Sequence, residues 1–174
     1  GILGQGARLK VNNTVVSNCG QYTVVCNIGG DYNFTHCTFA NFWDLGTRNT
    51  PSVLLNNYYE DTDGILHIRN LNNVKFTNCI IDGDLTTEIE FQENSNGNFN
   101  YVFDHCLIRI DPNTNTNTTN YVNIIKNKSP NFENKSKRDF HLTNPSPCIN
   151  SGTNTSISND IEGNTRSNPD LGAL

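Results

Sequence analysis

Hydrophobic and polar residues alternate in a short phrase that occurs four times, at residues 9–16, 32–39, 74–81 and 101–108. Equivalent positions hold similar residues. The main columns are Val11, Phe34, Phe76 and Phe103; Asn13, His36, Asn78 and His105; and Thr14, Cys37, Cys79 and Cys106. Equivalent positions are 23, 42 and 27 residues apart, and irregular spacing of roughly 20 to 50 residues is typical of a stacked repeat fold.

The alternation within each phrase predicts a strand, a bend and a second strand, and it does not match a helical period. Further short strands are predicted between or after the phrases, at residues 22–26, 52–55, 65–68, 88–91 and 121–125. Two or three strands per repeat, separated by Asn/Gly/Asp turns, favour a coil over a ladder of hairpins. We therefore predict one elongated all-β domain, a single-stranded parallel β-helix of about four to five coils.

The Asn/His column and the Thr/Cys column are interpreted as the bend and the interior positions of this solenoid, respectively. Asn13, His36, Asn78 and His105 are expected to form an asparagine ladder that satisfies backbone groups at the bend. A catalytic or metal-binding role for the histidines is the alternative. Cys37, Cys79 and Cys106 are expected to be stacked free thiols, because strands in register place equivalent positions about 4.8 Å apart.

The remaining cysteines leave their state open. Cys19 and Cys26 lie on one predicted turn and are a candidate disulfide pair, whereas nothing indicates a partner for Cys148. The chain has neither a Cys-x-x-Cys motif nor a Cys/His spacing typical of zinc sites. No metal site based on sulfur is therefore predicted.

Two regions depart from the repeat. The long second interval predicts an insertion at about residues 41–63, and its residues Trp43, Tyr58, Tyr59, Glu60, Asp61 and Asp63 are the candidate binding surface. The alternative is that these aromatic residues only cover the flank of a sheet. Coils are predicted for residues 1–129, with a loose loop at 111–120. Residues 130–174 are expected to cap the last coil irregularly.

Composition narrows the function classes. Asparagine accounts for 31 of 174 residues, and only 34% of residues are hydrophobic, which is workable where a narrow core follows an axis. The net charge of −5 argues against a nucleic-acid groove. No apolar stretch reaches about 18 residues, so no membrane-spanning helix is predicted. Because the chain starts inside the first repeat, we expect it to be a piece of a longer precursor.

Polysaccharide cleavage is the reaction class to weigh for a β-helix. The candidate outward bases for a lyase are Lys10, Lys75, His67, Arg69 and Arg109. The candidate carboxylate pairs for a glycoside hydrolase are Asp82 with Asp84 and Glu88 with Glu90. Only Lys10 and Lys75 share a column, and no aligned acids accompany them, so no catalytic residue is assigned.

Calcium is the one cation that the sequence brings into question. Asp111, Asn113, Asn115 and Asn117 imitate the start of an EF-hand loop, but Thr116 and Val122 stand where glycine and glutamate are required. The acidic turn of Glu60, Asp61 and Asp63 is a second weak candidate. No cofactor and no metal site are assigned.

Several segments carry a specific resemblance. They are YNFTHCTFANFW (32–43), VKFTNCIIDG (74–83), RDFHLTNPSPCINSG (138–152) and DLGAL (170–174), with Asp160, Gly163 and Arg166 between the last two. Over nearly its whole length the chain resembles bacterial right-handed parallel β-helix surface proteins, especially the Bacteroidetes group with a C-terminal choice-of-anchor Q domain. Cys148 and Asn150 replace the Ala and Asp that the family more often has. The resemblance implies right-handed, pectate-lyase-like coils and an extracellular location, and no particular reaction.

The sequence thus favours a non-catalytic β-helix, secreted or on the exterior of a bacterial outer membrane. It would serve as a structural or binding module for a glycan or an outer-membrane protein partner. The alternative is a polysaccharide lyase or glycoside hydrolase, or the C-terminal remnant of one. A third hypothesis is a subunit of an outer-membrane complex whose flat face is covered by a partner.

Overall fold

Short strands make up nearly all of the regular secondary structure in the computed structural model, which describes all 174 residues. The strands are β1 (Ile2–Gln5), β2 (Arg8–Asn12), β3 (Val15–Ser17), β4 (Val24–Asn27), β5 (Gly30–Thr35), β6 (Thr38–Asn41), β7 (Val53–Asn56), β8 (Tyr58–Glu60), β9 (Leu66–Ile68), β10 (Leu71–Thr77), β11 (Ile80–Gly83), β12 (Ile89–Gln92), β13 (Phe99–Asp104), β14 (Leu107–Ile108), β15 (Tyr121–Val122), β16 (Ile125–Lys126), β17 (Phe132–Asn134) and β18 (Asp139–Leu142). The only helical element is a 3₁₀ turn at Lys135–Lys137. The predicted all-β class is confirmed.

Three parallel sheets contain most of these strands. Sheet 1 has the order β1-β4-β7-β12, sheet 2 the order β2-β5-β10-β13-β15, and sheet 3 the order β3-β6-β11-β14-β16. The chain visits sheets 1, 2 and 3 in turn, and we call each such pass a circuit. Each circuit adds its strands beside those of the preceding one. This order is compatible with a parallel β-helix.

The register aligns the columns of the repeated phrase. Val11 pairs with Phe34, Phe34 with Phe76, and Phe76 with Phe103. Phe103 then pairs with Tyr121, and β14 with β16, so residues 121–126 form a fifth copy of the phrase. The sequence predicted a strand here, at residues 121–125, but only four copies of the phrase. The fifth circuit lacks a sheet 1 strand, which is why its spacing and composition hide it.

The bend between sheets 2 and 3 has a left-handed backbone in every circuit. The residues there are Asn13, His36, Asn78, His105 and Asn123, with φ between 44° and 54°. Asn and His are among the few residues besides glycine that are enriched in this conformation. The bend therefore favours Asn and His in this column.

Aromatic rings and thiols fill the core beside this bend. The rings of Phe34, Phe76, Phe103 and Tyr121 stack in sequence, with centroids 4.7, 4.9 and 5.8 Å apart. Each of the buried thiols of Cys37, Cys79 and Cys106 lies 3.3–3.5 Å from two backbone carbonyl oxygens, one of its own circuit and one of the preceding circuit. All six cysteines are free, including Cys19 and Cys26.

The extra length of the third circuit is divided between two connections. Residues 42–52 join β6 to β7, and residues 57–70 join β7 to β10 and contain the antiparallel hairpin β8–β9. Strand β7 lies between them and pairs with both β4 and β12. The predicted insertion at 41–63 thus includes a regular strand of sheet 1 and ends before the hairpin does.

The C-terminal segment lies along the side of the stack. After the antiparallel pair β17–β18, Cys148 and Leu171 pack on Ile80 and Leu107 of sheet 3. The backbone N–H groups of Gly172 and Ala173 donate to the carbonyl oxygen of Asn78 and to Oγ1 of Thr38, respectively. Asn13, in the first circuit, donates to the carbonyl of Asn159. These contacts cross four circuits, whereas the sequence predicted a cap over the last coil.

A buried ion pair fixes the first long connection. Arg48 and Glu88 have side chains 3% and 0% exposed, and both guanidinium Nη atoms donate to the carboxylate, at 2.6 and 2.8 Å. Glu88 also accepts hydrogen bonds from the backbone and hydroxyl of Ser52 and from the amide of Leu85. Arg48 donates further to the carbonyls of Asn41 and Thr50. Every charge in this pair is compensated.

Glu88→Gln is expected to lower the free energy of unfolding by about 3–5 kcal/mol, because it leaves the Arg48 guanidinium buried without a counter-charge. The same substitution at exposed Glu93 should change stability by less than about 0.5 kcal/mol. Urea unfolding of both variants checks this. Equal midpoints for Glu88→Gln and Glu93→Gln would show that the pair contributes nothing.

Candidate functional site

The hairpin β8–β9 collects five of the six residues of the predicted binding surface. It carries Tyr58, Tyr59, Glu60, Asp61 and Asp63. Tyr59 stacks on His67 of the opposite strand, with ring centroids 4.8 Å apart and planes 14° apart. The guanidinium of Arg69 lies 5.7 Å from the centroid of the same tyrosine ring.

The turn of this hairpin is held in one conformation by Asp61. Its Oδ1 accepts hydrogen bonds from the amides of Asp63 and Ile65, and its Oδ2 lies 2.6 Å from Nε2 of His67. The hydrogen bond from His67, followed by those from the amides, lowers the pKa of Asp61. Ile65 and Leu66, at the end of this turn, are 56% and 47% exposed. The hairpin therefore presents two adjacent aliphatic side chains on a pre-organised frame.

Trp43 is separated from this hairpin. It is half-buried and packs against Gly20, where an added Cβ would lie 3.4 Å from the indole. Trp43 precedes β7 and the hairpin follows it, and four strand residues span about 13 Å. The two aromatic groups therefore belong to different connections.

Residues of the bend column form pairs across neighbouring circuits, and Asn78 also bonds to the C-terminal segment. Nδ2 of Asn78 lies 3.0 Å from Nε2 of His36, and Nδ2 of Asn123 lies 2.9 Å from Nε2 of His105. Asn78 also exchanges two hydrogen bonds with the backbone of Thr153, at 2.7 and 2.8 Å. In this column, amide groups thus bond to the docked tail as well as across circuits.

His36 is held neutral by this arrangement. The bonds to Thr153 fix the orientation of the Asn78 amide, so its NH₂ group faces His36 and Nε2 of the imidazole must accept. The side chain is completely buried, and Nδ1 has no hydrogen-bond partner. Burial, together with the positive charge of Arg166, lowers the pKa of His36 to about 4.

The bases weighed for catalysis are mostly paired with acids. Nζ of Lys75 lies 3.1 Å from Asp104, whose other oxygen lies 2.8 Å from Nδ1 of His105. Burial raises the pKa of the Asp104 carboxyl group, but the hydrogen bonds from His105 and Lys75 outweigh this effect and lower the pKa. Arg109 donates through Nε to Asp82. Lys10 aligns with Lys75 only across the intervening β5, about 10 Å away.

The proposed carboxylate pairs are also divided. Asp82 is buried against Arg109, whereas Asp84 is exposed on the following turn. Glu88 is fully engaged by Arg48, and Glu90 accepts a hydrogen bond from Gln92. Neither pair presents two free carboxylates to one substrate.

The calcium-like segments use their side chains within the loop. Oδ1 of Asp111 accepts from the amide of Asn113, and Oδ1 of Asn115 accepts from that of Asn117. No group of three or more His, Cys, Asp or Glu side chains is arranged to hold a metal ion. The structure contains no helix with the length and apolar character that a membrane-spanning helix requires.

Two features of the structure were not indicated by the sequence pattern. Ile65 and Leu66 fall inside a predicted strand, so their exposure depends on the hairpin leaving the stack. The pairing of Arg48 with Glu88 joins residues 40 positions apart. Comparison with known proteins gives no match: no family model, no curated protein and no solved structure is similar to this chain.

Stability should fall below pH 6.5 in a way that depends on His36. Its folded pKa of about 4 lies below the ordinary 6.5, so the unfolded chain binds a proton that the folded chain does not. This stabilisation is complete above pH 6.5 and is lost as the pH falls towards 4, by about 2.5 kcal/mol at pH 4.5. His36→Asn, which restores the residue type of Asn13 and Asn78, should remove that loss, measured by urea unfolding at pH 7.0 and 4.5.

His141→Asn serves as the control of opposite sign. Hydrogen bonds to Asp139 and then Glu162 raise the pKa of His141, so its contribution exists at low pH and disappears as the pH rises. Replacing His141 should therefore make the free energy of unfolding fall more steeply as the pH is lowered. If His36→Asn retained the acid sensitivity of the unmodified chain, the neutral buried imidazole would not be its cause.

Proposed function

We propose that this chain is a non-catalytic, right-handed parallel β-helix that acts as a binding module at a bacterial cell surface and contacts a protein partner through the hairpin β8–β9. The observation that carries the proposal is the exposure of Ile65 and Leu66 at the tip of a hairpin that joins none of the three sheets. The sequence left a glycan and an outer-membrane protein open as partners of this surface. Aliphatic side chains favour the protein.

The coil handedness is supported by general chain chirality. Each circuit connects a strand to the next parallel strand of the same sheet, and such crossovers are right-handed in about 98% of cases. The aligned registers of the five circuits support a single solenoid. The resemblance to right-handed β-helix surface proteins agrees with this assignment.

The energetic argument for the hairpin is its rigidity. Two consecutive exposed aliphatic residues provide apolar area for a partner to cover. Because Asp61 already orders the turn, little conformational entropy is lost on binding. Arg69, directly after the hairpin, and Tyr59 within it add cationic and aromatic groups, a combination enriched at protein interfaces.

The location is proposed from the resemblance to Bacteroidetes proteins with a choice-of-anchor Q domain. The six free cysteines neither support nor oppose export, since five are buried thiols of the interior. An outer-membrane complex is one setting in which the hairpin would meet its partner. Secretion followed by attachment to the cell surface is another.

Loss of surface binding on removing the aliphatic tip is the expected outcome that tests this contact. The full chain should sediment with outer-membrane vesicles from a Bacteroidetes bacterium, and Ile65→Ser combined with Leu66→Ser should reduce bound protein at least about tenfold. Leu45→Ser is the matched control, because Leu45 is 74% exposed on the other connection. Quantitative immunoblotting of pellets measures the bound fraction.

Treatment of the vesicles separates the two kinds of partner. Protease digestion should abolish binding, and periodate oxidation of surface glycans should leave it unchanged. Binding that survives protease and fails after periodate would reverse the choice of partner. Equal binding by the Ser/Ser variant and the Leu45→Ser control would remove the hairpin from the contact.

No polysaccharide cleavage is expected, since the acids and bases weighed for it are mostly paired with each other. Incubation with pectate, alginate and chondroitin should produce no rise in absorbance near 235 nm, and no new reducing ends from neutral glucans. Unsaturated products above a boiled-protein control would instead establish the lyase alternative.

A further inference from the structure

A cleft lies between the outer face of sheet 3 and the segment that leads through β17 into the 3₁₀ turn. Its volume of about 640 Å³ is within the range of roughly 300–1,000 Å³ found for small-molecule sites. One wall is formed by Asp82, Gly83 and Arg109, and the other by residues 129–136; Phe42 and Phe132 are its aromatic residues. The cleft shares no residue with the hairpin β8–β9.

Asp82 and Arg109 are the polar residues of the sheet 3 wall, and we call this pair the polar floor of the cleft. The side chain of Asp82 is 3% exposed, and Nε of Arg109 donates to its Oδ1. Burial raises the pKa of this carboxyl group, against the opposing effect of Arg109. Nη1 and Nη2 of Arg109 and Oδ2 of Asp82 have no side-chain hydrogen-bond partner. The floor therefore offers a planar pair of donors next to an acceptor.

The facing wall carries further unpaired groups. Oδ1 of Asn134 caps the 3₁₀ turn by accepting from the amide of Lys137, which leaves its Nδ2 free to donate. Glu133 forms no ion pair and is exposed. Nζ of Lys135 lies 4.7 Å from the ring centroid of Phe42, so it bridges the two sides at one end.

The charges of the lining select the ligand. The cleft contains two acids, Asp82 and Glu133, and two bases, Arg109 and Lys135, so its formal charge is zero. An anionic sugar would meet both carboxylates, and the chain's net charge of −5 would repel it at longer range. A neutral ligand with neighbouring hydroxyl groups meets no such penalty, because each hydroxyl both donates and accepts.

From this complementarity we propose that the cleft between sheet 3 and the β17 segment binds a neutral oligosaccharide, with Arg109 and Asp82 hydrogen-bonding neighbouring hydroxyl groups and the ring of Phe132 packing against the apolar face of a sugar. Guanidinium and carboxylate groups hold two hydroxyls with fixed geometry, which gives orientation as well as affinity. The site goes beyond the proposed protein contact at the hairpin. Either site can fail without the other.

Titration of the ¹⁵N-labelled full chain tests the cleft directly. The probes are cellohexaose, xylohexaose, mannohexaose and maltohexaose as neutral sugars, with hexagalacturonate as the acidic one. At least one neutral sugar should produce saturable shifts in the amides of residues 129–136 and in Nε–H of Arg109. Hexagalacturonate should bind at least about tenfold more weakly.

Two substitutions locate the binding. Arg109→Lys keeps a positive charge beside Asp82 but removes the planar donors, and should weaken binding about tenfold. Glu133→Ala removes an unpaired acceptor from the facing wall and should weaken sugar binding about threefold. Because Glu133 is exposed, this change should leave the stability of the fold nearly unchanged. Arg8→Lys is the matched control, because Arg8 is 88% exposed on sheet 2, and it should bind normally. The Ile65→Ser, Leu66→Ser variant should also retain sugar binding.

The proposal fails if none of the four neutral sugars produces saturable shifts in the cleft. It also fails if hexagalacturonate binds as tightly as the best neutral sugar, or if neither Arg109→Lys nor Glu133→Ala weakens binding. Vesicle binding by the hairpin is read separately, so a negative sugar titration leaves that contact standing.

Discussion

The left-handed bend between sheets 2 and 3 is the constraint on which the rest of the structure depends. Because one residue of each circuit takes this conformation at the same position, the strands on both sides of it stay in register. A slip of one residue would turn every inward side chain to the outside. Register in turn stacks Phe34 on Phe76 and places each thiol beside two carbonyls. The same bend directs Asn13 and Asn78 towards the tail, so one backbone requirement organises both the core and its lateral cover.

Long connections are compatible with this stack because they are anchored where they leave it. Arg48 and Glu88 tie the 42–52 connection to the start of β12, and the fully buried Asn57 bonds to the backbone of residues 94–98 at the base of the hairpin. Strand β7 between these anchors keeps its pairing with β4 and β12. The hairpin therefore projects from a fixed base, and the order of its turn depends on the local bonds of Asp61.

The sequence predicted the parts of the fold that repeat locally. The alternation around Phe34, Phe76 and Phe103 was sufficient to predict parallel strands and their alignment. Tyr121 was not recognised as the fifth member of this column, because a ten-residue polar loop replaces the sheet 1 strand that would precede it. The course of the tail was also out of reach, since its bonds join residues such as Asn78 and Thr153 that are 75 positions apart. The restriction of the bend column to Asn and His was a signal of positive φ that the ladder interpretation left unused.

The site was predictable to a similar degree and for the same reason. Tyr58, Tyr59 and Asp61 are close in sequence and so lie close in space, whereas Trp43 was grouped with them across a strand of the sheet. Conversely, Asp82 and Arg109 lie 27 positions apart in the sequence, so they were considered for separate roles. Only the stacking of neighbouring circuits brings them together. In a stacked fold, side chains that share a site come from successive circuits as well as from successive residues.

Charge pairing is the property that favours recognition over catalysis as the role proposed for this chain. Asp61 is bonded to His67, and Asp104 to both Lys75 and His105, so the pKa of each carboxyl group is held low. A carboxylate stabilised in this way is a weak proton acceptor and has no free partner to act as an acid. The same pairs fix donors and acceptors in defined directions, which is what selective binding requires. The hairpin leaves between sheets 1 and 2 and the cleft opens on sheet 3, so a ligand at one of the two proposed sites would not cover the other.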